Sequence, residues 1–183
     1  MNRITLILLV GVAALLAFVE GRGLLREGIF GTRIDVLPIL VTYAAFRSDL
    51  FAAVGLACFS GLLFDALSLN PLGVSLISLT LVSLFLSQLR GLVLRDQALA
   101  QMALGAVVAT MNPLISLGLL WFLGLSPVVG WGTVFQIAVM GASGAVLAPF
   151  FFLLFDWLEE ALTYEEEPFS RFRSEVEIKR GRG

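Results

Sequence analysis

Of the 183 residues, 58% are hydrophobic and 14% charged, and the mean hydropathy is +0.96, far too apolar for an aqueous domain of this size. The net charge of -2 offers no basic field for nucleic acid, and the absence of histidine beside a single cysteine, Cys58, removes metal-ligand sets, disulfides and Cys/His catalytic pairs. The composition is that of an all-α integral membrane protein, with the lipid bilayer as its first partner.

The first apolar segment, residues 4–19, follows a lone Arg3. A cleaved signal needs a small-x-small site after the apolar core, and Phe18, Val19, Glu20 and Gly21 supply no convincing one, so the segment reads as a retained anchor. Ala13 and Ala17, one helical turn apart, allow close packing. Residues 20–35 mix six charges with four glycines and read as a solvated interfacial loop. The second apolar run, residues 36–46, contains Pro38 and is short enough to be re-entrant; extended back to residue 32 it rises only about 22 Å, enough to cross when neighbouring helices bury its ends.

The third segment, residues 50–67, sets Ala53, Ala57 and Gly61 on one stripe. It carries the one deeply placed acid, Asp65, just before a reversal. Asn70 and Pro71 read as the N-cap and first residue of the fourth helix, residues 71–89. That start lies within reach of Asp65, and its orphan amides would stabilise a carboxylate that the C-terminal dipole of its own helix disfavours. The serines at 75, 78, 83 and 87 read as hydroxyls that bond within the helix or to a neighbour. Arg90, Arg95 and Asp96 make a short charged turn. The fifth segment, residues 98–123, is interrupted by Asn112 and Pro113, which frees the carbonyl of Ala109. Trp121 and Trp131 bracket an uncharged loop before the sixth segment, residues 133–158, whose close-packing side carries Gly141, Gly144, Ala145 and Ala148. Residues 159–183 form a charged tail whose acids, Glu159, Glu160 and the three at 165–167, read as solvated.

Counting bases allows two topologies. Six spans divide them nine to three; five spans, with segment two not crossing, divide them eleven to one. Both place Arg47, Arg90, Arg95 and the tail in the cytoplasm and the Asp65 reversal outside.

The pattern Gly61, Asp65, Ser68, Pro71, Leu72, Gly73 resembles the signature of MreD, the rod-shape-determining membrane protein family, and the likeness extends over roughly residues 34–156. The resemblance implies a six-helix transmembrane bundle with both termini cytoplasmic, in the bacterial cytoplasmic membrane. Its fold would be similar to that of the substrate-binding subunits of energy-coupling-factor vitamin transporters. It implies a non-catalytic scaffold that binds an MreC-like single-pass protein and supports peptidoglycan elongation by a glycosyltransferase and a transpeptidase, with no cofactor. The charged tail departs from the family. The alternative is a vitamin-binding transporter subunit. A lipid-modifying enzyme lacks the histidine or paired acids that its chemistry needs.

Gly61, Asp65, Ser68, Asn70, Pro71 and Gly73 are therefore the candidate partner-binding or structural motif. Asp65 has two readings, a cap that fixes the reversal and a charge that meets a partner or lines a pocket. Asn112 and Gln136 read as a polar pair bridging helices five and six, with a ligand site as the alternative.

Overall fold

The structure is a computed structural model that describes residues 3–22, 35–68, 70–90, 97–127 and 129–163. Among these, all regular structure is helical: α1 (Arg3–Gly21), α2 (Leu37–Arg47), α3 (Leu50–Leu67), α4 (Val74–Leu89), α5 (Ala98–Phe122) and α6 (Trp131–Thr163). Three of them, α3, α5 and the Trp131–Ala161 part of α6, are long and apolar enough to cross a membrane. The large apolar side chains they leave exposed, Phe51, Phe122 and Trp131 among them, suit a hydrocarbon surround.

Contacts between helices fix an up-and-down arrangement. Glu20 at the end of α1 touches the start of α2, and Asp65 near the end of α3 touches the start of α4. At the opposite end, Arg90 after α4 reaches the last turn of α2, and Asp156 near the end of α6 pairs with Arg47. The bundle thus has an end where carboxylates cap helix starts and an end built on arginines.

Helix α2 is the centre. Leu37 through Phe46 are ten consecutive buried residues, apolar all round apart from Thr42, whose hydroxyl donates to the Pro38 carbonyl at 2.7 Å, and the Tyr43 hydroxyl. Its 11 residues rise about 16 Å, well short of a hydrocarbon core, and all five other helices pack on it. The segment therefore resolves into a short inner helix that begins at Leu37; residues 32–34, where its expected extension begins, lie outside the described residues. Tyr43 packs edge-on against Phe152, with ring centroids 5.3 Å apart, and stacks on Phe155 at 4.9 Å. Its hydroxyl donates to Asp156 at 3.3 Å, and Asp156 also pairs with Arg47 at 2.5 Å. This locks α6 to α2 at the arginine end.

The other packing seams follow the small residues. Ala13 and Ala17 are fully buried, as are Ala53 and Ala57. On α5 and α6 the backbones meet: a Cβ at Gly144 would stand 2.5 Å from both the Ala109 Cβ and the Gly105 carbonyl oxygen. Helix α5 runs unbroken through Pro113. Helix α6 continues five residues past the expected end at 158, so Glu159 and Glu160 belong to its last turns rather than to the tail. The acids at 165–167 lie outside the described residues.

Candidate functional site

The reversal between α3 and α4 is built around Asp65, which is only 2% exposed. Its Oδ2 accepts from the backbone N–H of Gly73 at 2.8 Å, Ser75 at 3.1 Å and Leu76 at 3.3 Å, while Oδ1 also accepts from Ser75 at 3.1 Å. Three of the amides that open α4 are thus held by one carboxylate from the preceding helix, where the N-terminal dipole favours negative charge. The Asp65 oxygens act as acceptors throughout this set.

Gly61, one turn earlier on α3, sets the distance. A Cβ there would lie 2.5 Å from the Leu76 Cα and 2.8 Å from its nitrogen, so only glycine lets α3 approach α4 closely enough for Asp65 to reach. Gly73 takes φ +100°, a left-handed conformation that turns the chain into α4. The helix consequently starts at Val74, three residues later than the sequence suggests. Asn70 is not its N-cap and Pro71 is not its first residue. The cap oxygen comes from Asp65 instead, and a left-handed Gly73 between Pro71 and Val74 prevents the helix from beginning earlier. Ser68 closes α3, its N–H bonding the Phe64 carbonyl at 2.8 Å and its hydroxyl accepting from the Asn70 N–H at 3.3 Å.

A second acid does the same at α2. Glu20, 4% exposed, accepts on Oε1 from Val36 N–H at 2.5 Å and Leu37 N–H at 3.3 Å. From sequence alone Glu20 falls in a solvated loop, but α1 extends through it to Gly21 and carries it inward. A charged, glycine-rich neighbourhood gives no sign of this, because its burial depends on where α2 docks. The opposite end of α2 is closed by Arg90, whose Nε donates to the Ala45 carbonyl at 3.1 Å and whose other guanidinium nitrogen donates to the Ser48 carbonyl.

Glu20 also lines a cavity of about 180 Å³ to which all six helices contribute, with Phe64 from α3 and Met140 from α6 among its walls. Glu20, Asp35, Asn70, Ser75, Asn112 and Gln136 supply much of its polar lining, and Leu79 and Met140 are among its apolar residues. Asp65 does not line it, although it holds the N–H of Ser75, which does. Asn112 and Gln136 share the cavity without bonding to each other. The Asn112 side-chain oxygen instead accepts from the Ser78 hydroxyl of α4 at 2.6 Å, and the same hydroxyl lies 3.0 Å from the Asn112 backbone oxygen, so the polar bridge joins α5 to α4 rather than to α6. Cys58 packs its sulfur 3.2 Å from the Thr80 hydroxyl.

Comparison with protein-family models, with curated proteins and with solved structures finds no match to this chain.

Proposed function

We propose that the chain is a non-catalytic membrane scaffold of the MreD type, set in a bacterial cytoplasmic membrane, with the carboxylate-capped end of the bundle outside. It binds an MreC-like single-pass protein there and supports the peptidoglycan elongation machinery. The observation that carries this reading is that residues of the signature, scattered over 13 positions, form one unit: Gly61 sets the α3–α4 distance, Asp65 caps α4, Ser68 ends α3 and Gly73 turns the chain. A pattern that assembles into a single device supports a resemblance better than the same residues dispersed would. With its charge consumed inside, Asp65 acts by positioning, and the surface offered to a partner is the exposed apolar tip beside it, including Leu67 at 38% and Leu72 at 73% exposure. In this reading the chain crosses six times; the alternating direction of the helices supports that count, with α1, α2 and α4 shorter than the three helices long enough to cross by themselves.

A transporter subunit remains the second reading, and the cavity is what favours it. Its volume, about 180 Å³, is below the roughly 300–1,000 Å³ usual for ligands of drug or vitamin size, which places it second. Co-purification from mild detergent with a tagged chain separates the two: a scaffold brings an MreC-like protein, and Leu72→Asp lowers that capture without lowering the folded yield. Recovery of an ATPase module in its place refutes the scaffold reading.

A further inference from the structure

At the carboxylate-capped end the bundle has two heights. From Arg47 back to Leu37, α2 rises about 15 Å, whereas α6 rises about 37 Å from Asp156, the ion-pair partner of Arg47, back to Trp131. A second register points the same way. The Ser78 hydroxyl meets Asn112, and from that level α4 has about 6 Å left to its start at Val74 while α5 has about 15 Å left to its end at Phe122. At the other end the helices are level, since Arg90 after α4 and Asp156 of α6 both meet the end of α2. The α5–α6 hairpin thus stands beyond the two helix starts that Asp65 and Glu20 cap, by about 9 Å at α4 and more at α2.

The projecting part is made for lipid. From residue 97 to residue 155 the sequence has no charged side chain. Phe122 and Trp131 are each 90% exposed, and they continue the apolar face that Leu114 and Val146 present further down the same two helices, both long and apolar enough to cross a membrane. Trp121 and Trp131, at the two helix ends, have the amphipathic rings that favour a membrane–water boundary. From this we infer that the hairpin tip is seated in the bilayer with its tryptophans at headgroup level, and that the capped starts of α2 and α4 lie deeper, where the lipid surface is drawn inward to meet them. A hydrocarbon core about 30 Å thick fits α6 between Trp131 and Asp156 at an ordinary tilt, but α4 rises only about 22 Å from Val74 to Leu89. A spanning stretch shorter than the core is accommodated by thinning the bilayer around it. The helices being level at the arginine end, the thinning falls at the capped end. This placement holds for either reading of the function.

The test reads tryptophan depth in the full chain, reconstituted in nanodiscs of dioleoylphosphatidylcholine. Trp131→Phe with Trp157→Phe leaves Trp121 as the only indole. Its fluorescence is quenched by phosphatidylcholines brominated at known depths along the acyl chain and, separately, by aqueous iodide. Bromines near the headgroup are expected to quench Trp121 more than bromines near the chain end, and iodide to quench it far less than it quenches free tryptophan. A second chain, with all three tryptophans changed to Phe and Ile77→Trp on the exposed side of α4, is expected to report about 12 Å closer to the bilayer centre than Trp121. Leu62→Trp gives the same comparison from α3 if that variant does not fold. Gly61 lies against Leu76, which sets the expected difference for Leu62→Trp at about 9 Å. The inference is overturned if iodide reaches Trp121 as readily as free tryptophan, which would make the tip a water-facing docking surface. It is equally overturned if neither quencher reaches Trp121, which would mean that protein covers the tip, or if Ile77→Trp reports a depth within one helical turn, about 5 Å, of Trp121.

Discussion

Two helix starts at one end of this bundle are closed by the same chemistry and reached by different routes. At α4 the acid is local: Asp65 lies eight residues before Gly73, one tight reversal away. At α2 the acid is remote: Glu20 lies 16 residues before Val36, across a connection of which residues 23–34 are outside the described part. One carboxylate holds three amides and the other two. The difference teaches that the amides opening a helix can be held by a buried carboxylate either from the adjoining turn or from a distant point in the chain.

Removing the local acid is expected to have the largest effect. Asp65→Ala strands three amides in a part-buried reversal and should lower stability by about 3 kcal/mol, taking roughly 1 kcal/mol per unsatisfied group. Equilibrium unfolding in mixed micelles measures it, and a loss below about 1 kcal/mol would mean that water replaces the carboxylate freely. Glu20→Ala strands two amides and should cost about 2 kcal/mol on the same scale. Because the two caps serve different helices, the double variant should show additive losses to within about 0.5 kcal/mol; strong coupling would instead make the whole end one cooperative unit. The smallest effect is Asp65→Asn, about 1 kcal/mol, since one amide oxygen can still accept from Gly73 and Leu76 while the nitrogen faces the Ser75 N–H. Partner capture by this variant should stay near normal. A sharp fall in capture at constant folded yield would show that the charge is felt beyond the cap.

The contrast between the two acids also marks what the residues reveal unaided. Asp65 is legible because a lone acid in an apolar run, followed by a turn, has few other places to satisfy its oxygens. The start of α4 is misread from the same residues, since Asn-Pro is a strong local start signal and only the left-handed Gly73 and the reach of Asp65 override it. Glu20 is illegible because it borders a stretch whose charges and glycines match any solvated loop. The apolar character of α2 is plain from the sequence, but its central place is not: a short helix apolar on every side looks the same whether it is re-entrant, peripheral or innermost. The partner of Asn112 depends on how α4 and α5 are rotated about their axes, and several serines on α4 would satisfy the composition equally well.

The closure of α2 has a consequence for how the chain is made. Its first amides wait on Glu20, which is synthesised before it, but its last carbonyls wait on Arg90, which leaves the ribosome more than 40 residues after Ala45 and Ser48. In the six-crossing reading, α2 is therefore completed only after α3 and α4 have been made. Chains halted at residue 89 should leave the end of α2 open to amide exchange, and chains extended well beyond residue 90 should close it. Membrane insertion here would then be sequential in the outer helices and retrospective at the centre, the innermost element being completed by a residue that comes after four of the six helices have been made.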